Sequence, residues 1–256
     1  MKMRHYIQRL LKKYGFLLKR RTLGELDEID QFVGLLNTLD VDLILDVGAN
    51  SGQFAQKLIE EGVKRQLLSV EPQASLQSAL VHKAKRHTNW DIAPPVALGA
   101  NEETGIINIS NNSYSSSLLP MNKAHLDAAP DSRVINSQKV QIMTAKELIK
   151  KTYFDKQLNS IALKIDTQGY ELNIITGCSD IMEHIVIIYT EMSLVQLYEG
   201  APDFKELYLI LAQFDFELVG LHPEFYDPEF PRQLQVNGIF VKKQRLNESL
   251  KWQNAH

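Results

Sequence analysis

Four times in this chain a short apolar run carries an acidic residue at or just beyond its end. Val41–Val47 contains Asp46, Gln66–Val70 leads to Glu71, LNSIALKID stops at Asp166 and HIVIIYTE stops at Glu191. Helix-period stretches follow: Phe54, Leu58 and Ile59 after the first run, Leu76, Leu80 and Val81 after the second, GYELNIITGC after the third. Strands alternating with helices predict a mostly parallel sheet with helices on both faces, and ligands of such sheets bind beyond the strands' carboxyl ends.

The rest of the chain extends this pattern. A helix is expected near Leu26–Leu39, a third strand in WDIAPPVALGA with Pro94 and Pro95 marking an edge or bulge, and a short added strand in TGIINISNNS. Asn111 to Ser137 shows no periodicity and reads as a long functional loop. A helix from Pro202 to Phe214, the strand FELVGLH, a proline-rich loop and the strand QVNGIFVKK complete the domain, before a polar, loosely held tail. At 256 residues and 44% hydrophobic content, one α/β domain can bury its core. We divide the chain into an N-terminal helical extension (1–40), the main domain (41–243) and the tail (244–256).

Charge is unevenly spread. Residues 1–21 carry eight Lys and Arg and no acidic residue, so a total of −3 leaves −11 on the remainder. Met3, Ile7, Leu10, Leu11, Tyr14, Leu17 and Leu18 share one helical face, opposite Arg9, Lys12, Lys13, Lys19 and Arg20. Such a basic amphipathic helix either lies on an anionic membrane surface or packs its apolar face on the acidic domain or a second subunit, which would make a homodimer. Cys178 is the only cysteine, so no intrachain disulfide forms. With no secretory-signal pattern and no apolar run of about 18 residues, a cytoplasmic protein, membrane-associated at most, is expected.

The first strand-to-helix turn, LDVGANSGQF, is the most informative stretch. Gly48 permits a sharp turn and Gly52 a close helix start, with Asp46 and Asn50 supplying polar groups. Glu71, at the end of the next strand, can accept two hydrogen bonds from a ribose diol, which points to a nucleoside. Gly48-Ala49-Asn50-Ser51-Gly52 is not the G-x-G-x-x-G that receives a pyrophosphate, and the acidic Asp46 suits a cationic tail better than a phosphate. S-adenosylmethionine, a phosphate-free cation, fits this turn better than NAD.

LDVGANSGQF, SVEP, VALGA, SSSL and LKIDTQGYELNIITG occur in this order. Together they resemble the FkbM family of S-adenosylmethionine-dependent methyltransferases, from about Val41 to Lys242. That resemblance implies a class I methyltransferase fold, a Rossmann-like sheet of mostly parallel strands, seven in all, with the last antiparallel, plus the N-terminal helices. It also implies O-methyl transfer to a hydroxyl of a sugar, glycolipid or natural product. By position it places Asp46, Gly48, Asn50, Ser51 and Gly52 around the methionine part, Glu71 at the ribose, and Leu98 and Gly99 at the adenine.

Methyl transfer to an alcohol needs near-attack positioning and removal of a proton. Asp166 and Glu191 end strands expected to be neighbours, and Lys164 shares the face of Asp166 and can hold it ionised. Each has another reading: Asp166 as a helix cap, Glu191 as the partner of a loop residue, Lys164 as a structural ion pair. His222 is either a base or a loop hydrogen-bonder. Two carboxylates are too few to specify a divalent-cation site, and no metal is expected. Ser115 and Ser116 touch cofactor or acceptor or simply form the turn, and Tyr226, in the aromatic stretch 222–233, covers a sugar ring or packs on the core. The expected partner is a small-molecule or glycan acceptor; a net −11 on the chain beyond residue 21 opposes nucleic acid. A cofactor-binding module without turnover is the other class of function the sequence leaves open.

Overall fold

The computed structural model describes residues 27–154 and 158–255, so the basic segment 1–21 lies outside the described residues. Helix α1 (Glu28–Thr38) starts where Asp27 caps the Asp30 amide, and it buries Ile29, Phe32 and Leu36 along one face. Then come β1 (Leu43–Val47), α2 (Gln53–Glu60), β2 (Gln66–Val70), α3 (Ala74–Ala84) and β3 (Trp90–Ile92). A small sheet follows from β4 (Val96–Leu98), β5 (Glu103–Ser110) and β6 (Val134–Met143), with α4 (Lys123–Ala128) between the last two. The chain returns through α5 (Ala145–Thr152), β7 (Ile161–Ile165), α6 (Glu171–Gly177), β8 (Ile185–Ser193), α7 (Phe204–Gln213), β9 (Phe216–Tyr226), β10 (Gln233–Lys242) and α8 (Lys243–Ala255).

The main sheet has seven strands in the order β3-β2-β1-β7-β8-β10-β9, and β10 alone runs against its neighbours. This is the class I methyltransferase topology expected from the sequence. β1 is buried along its whole length, and its side chains alternate between two cores. Leu43, Leu45 and Val47 join α5, α6 and α7 on one face; Ile44 joins α1, α2 and α3 on the other. Strand order reverses between β2 and β7 on either side of β1, which opens a crevice at the carboxyl ends of β1 and β7.

Several local expectations need correction. The single strand expected in WDIAPPVALGA is two: β3 edges the main sheet and β4 edges the small one, because Pro94 and Pro95 have no amide to continue a ladder. The stretch from Asn111 to Ser137 is not one loop, since it holds α4 and the start of β6. FELVGLH continues to Tyr226, so the aromatic segment is half strand. The tail is helical rather than loose. Its chain passes from β10 with the Lys243 amide on the Asp215 carbonyl, Leu246 packs against the α1 core, and Arg245 donates to the Leu39 carbonyl at 3.0 Å.

Candidate active site

The turn after β1 is built by backbone hydrogen bonds. The Gly48 and Ala49 amides both donate to the Val70 carbonyl, Asn50 to Glu71 Oε2 at 2.8 Å, Ser51 to Asn50 Oδ1 at 2.7 Å, and Gly52 to the Ala49 carbonyl. All five amides of the turn are therefore spent inside the protein, and none is left for a phosphate. Gly48 (φ +76°) is required by its own chain rather than by a ligand: a Cβ there would lie 1.8 Å from the Asp166 carbonyl oxygen. A Cβ on Gly52 (φ +84°) would press into Leu80 and Trp90.

Asp46 lies beneath this turn, fully buried, and does not line the crevice. Its Oδ2 accepts from Ser69 Oγ at 3.0 Å, and Ser69 Oγ in turn accepts from Trp90 Nε1 at 3.0 Å. Lys164 sits 3.1 Å from Asp46 Oδ1 and 3.5 Å from Asp166 Oδ2, and donates to the Gly48 carbonyl at 3.1 Å. Burial pulls the Lys164 ammonium down, but Asp46, Asp166 and Glu191 outweigh it and the net shift is upward. Lys164 thus stays charged and locks the ends of β1 and β7 together.

The crevice itself has an apolar and a polar end. Val70, Ala97, Leu98, Ile107, Leu118 and Tyr170 wall the first; Asp166, Gln168, Glu191 and Glu224 line the second, and Gly48, Asn50 and Glu71 lie along it. An adjoining hollow shares Asp166, Glu191, Glu224 and Tyr114 and adds Phe54, Lys164, Tyr189 and Asn237. Glu71 is almost wholly buried, its Oε2 on the Asn50 amide and its Oε1 on the Gln73 amide at 2.9 Å. Each oxygen keeps a second lone pair for a diol. Burial pushes its carboxyl above the usual range despite those two bonds.

Ser116 lines the crevice and donates to Gln73 Oε1 at 3.2 Å; Ser117 also lines it, and its hydroxyl donates to the Gln168 carbonyl at 2.7 Å. The other predicted residues lie elsewhere. Ser51, Gly99 and Ser115 do not line it; Gly99 is packed against Ile142 and Tyr170, and Ser115 accepts through its carbonyl from Tyr198. His222 pairs with Gln31 on α1 at 2.8 Å, and Tyr226 is exposed at the end of β9. Their strand continues past the crevice with only Glu224 turned to it, which the composition of the segment could not reveal.

Sequence reasoning missed Gln168. It takes a left-handed backbone conformation (φ +57°), and its Nε2 donates to Asp166 Oδ1 at 3.0 Å and Glu191 Oε2 at 2.7 Å. Tyr198, 2.9 Å from its Oε1, orients the amide. Its sequence signals are a polar side chain before Gly169 and its place within LKIDTQGYELNIITG. Glu171 braces the same loop by accepting from the Thr167 and Gly169 amides. Burial raises Glu191 well above the usual carboxylate range, with Asp166, Glu171 and Glu224 adding to the rise. Among the described residues no group of three or more His, Cys, Asp or Glu is arranged to hold a metal ion.

A sequence model of the Methyltransferase FkbM domain matches residues 46–218, more than half of the chain. No curated protein matches it in sequence. Among solved structures it is similar to an rRNA methylase from Streptococcus thermophilus (8% identity, TM-score 0.43, covering 86% of this chain and 99% of that one). It is also similar to TehB from Haemophilus influenzae (10%, 0.44, 91% and 65%) and to a ribosomal protein L11 methylase from Lactobacillus delbrueckii subsp. bulgaricus (11%, 0.41, 86% and 80%).

Proposed function

The chain belongs to the Methyltransferase FkbM domain family, and from that premise we propose that it uses S-adenosylmethionine to methylate a hydroxyl of a sugar, glycolipid or natural-product acceptor. One observation carries the choice of cofactor: the turn spends all five of its amides internally while Asp166, Glu191 and Glu224 line the same crevice. Such a site repels a pyrophosphate and attracts a cation. Bound there, the cofactor supplies an activated methyl group on a positively charged sulfur.

The chain's own residues divide the remaining work. Glu71 offers two lone pairs to the ribose, and Val70, Leu98, Ile107 and Tyr170 enclose a flat, apolar base. Asn50 and Gln53 tie the neighbouring loop to the turn through Ser113 and Tyr114, at 3.3 and 3.0 Å. The carboxylates at the ends of β7 and β8 stand where an alcohol proton can be taken up. Tyr114, Phe54 and Tyr189 give the adjoining hollow aromatic walls, and Asn237 and Glu224 give it polar groups suited to an acceptor rich in hydroxyls.

Incubation of the protein with isotopically labelled S-adenosylmethionine, a panel of glycans and cell extracts, followed by mass spectrometry, tests this reading. A labelled methyl ether is the expected product. Label appearing on nitrogen or on nucleic acid would contradict the acceptor class.

A further inference from the structure

Asp166 and Glu191 stand on adjacent strand ends, yet their surroundings are unequal. Asp166 is held at both oxygens, Oδ2 3.5 Å from the Lys164 ammonium and Oδ1 accepting from Gln168 Nε2 at 3.0 Å. Glu191 meets donors at one oxygen only: Oε2 accepts from Gln168 Nε2 at 2.7 Å and from Gln235 Nε2 at 3.4 Å. Its Oε1 accepts nothing from the described residues, and Lys164 pairs with Asp46 and Asp166 rather than with it. The Gln168 amide has one possible orientation here, because two carboxylates facing it require donors and only Nε2 provides two. Tyr198 Oη, 2.9 Å from Gln168 Oε1 and 3.0 Å from the Ser115 carbonyl, shares its single proton between these two acceptors.

We propose a division of labour that rests on the methyl-transfer reading. Glu191 is the base that receives the acceptor's proton at Oε1, Asp166, held beside Lys164, is the counter-charge to the sulfonium, and Gln168 is the positioning residue that fixes both roles. In the transfer, the acceptor oxygen forms its bond to the methyl carbon, the S–C pair stays on sulfur, and the hydroxyl proton passes to Glu191 and then to water. Groups facing Glu191 act in both directions. Asp166 after β7, Glu171 on α6 and Glu224 on β9 favour its protonated form, and Lys164 on β7 favours the ionised one. Tyr198, across the Gln168 amide, remains neutral because burial pushes its hydroxyl far up.

The two carboxylates then separate experimentally. By calorimetry, Asp166→Asn is expected to weaken S-adenosylmethionine about tenfold relative to S-adenosylhomocysteine, since only the former carries the charge. Glu191→Gln is expected to shift that ratio by less than Asp166→Asn does and to lower kcat by about 10²–10⁴-fold. Infrared titration of the cofactor-free protein gives a readout independent of turnover. A protonated carboxyl band lost in Glu191→Gln should titrate at lower pH in Asp166→Asn and at higher pH in Gln168→Ala, which lacks the N–H that stabilises the anion. Equal effects of Asp166→Asn and Glu191→Gln on both quantities would overturn the proposal, as would a Gln168→Ala protein with lowered kcat and an unmoved Glu191 titration. In both cases intact binding of S-adenosylmethionine would leave the methyl-transfer reading standing. Failure of the wild type to bind either compound would remove the reading and this proposal together.

Discussion

A Cβ added to Gly48 would sit 1.8 Å from the carbonyl oxygen of Asp166. Glycine here sets the spacing of the β1 and β7 turns, and the crevice exists because those turns touch. Gly48→Ala is therefore predicted to cost about 4 kcal/mol or more, in the range that marks disrupted backbone packing. Gly62 is the control: it has a similar φ of +83° with nothing within 4 Å, so Gly62→Ala should cost only about 1–2 kcal/mol of left-handed strain. Urea midpoints of the two variants measure the difference.

The chain Trp90–Ser69–Asp46–Lys164 is buried at each member, and its loss at different points should be unequal. Ser69→Ala strands the Trp90 N–H and one Asp46 oxygen, at about 1–3 kcal/mol for each group. Lys164→Met leaves an uncompensated carboxylate in the core, at about 3–5 kcal/mol, and should lower stability at pH 7 with Asp46→Asn as a partial rescue. Denaturation followed by tryptophan fluorescence reports both.

Burial holds Glu71, Glu171 and Glu191 above the ordinary carboxylate value of 4.5, so the folded protein keeps protons the unfolded chain has released. More bound protons in the folded state makes the slope of stability against pH negative. Their contribution is complete below about pH 4.5 and is lost as pH rises through their folded values. Unfolding free energies measured upward from pH 4.5 should show that decline, and Glu191→Gln should flatten it; an unchanged slope in the variant would contradict the assignment.

Tyr114 lines the crevice and the hollow beside it, whereas Tyr226 is on neither wall. Tyr114→Ala should raise the acceptor KM several-fold, and Tyr226→Ala should leave acceptor use unchanged. Steady-state kinetics across an acceptor panel distinguishes the two; a large effect of Tyr226→Ala would show that the hairpin reaches the substrate.

What the sequence made legible was the set of strand ends. Asp46, Glu71, Asp166 and Glu191 follow apolar runs whose parallel pairing forces them to one edge of the sheet. Their division of roles was not legible, because it depends on which side chains meet across long separations. Gln168 reaches Glu191 and Tyr198 across 23 and 30 positions, and Asp46 proved a buried anchor only once Ser69 and Lys164 were seen beside it. His222 and Tyr226 fall outside the crevice for the opposite reason. Composition marked the segment as aromatic, but the continuation of β9 decides which way each residue faces, and it turns Glu224 inward.

Calorimetry with S-adenosylhomocysteine and with NAD on the wild-type protein tests the central claim that this crevice takes a phosphate-free adenosine compound. Heat with S-adenosylhomocysteine and none with NAD is the predicted result. Heat with NAD and none with S-adenosylhomocysteine or S-adenosylmethionine would contradict it.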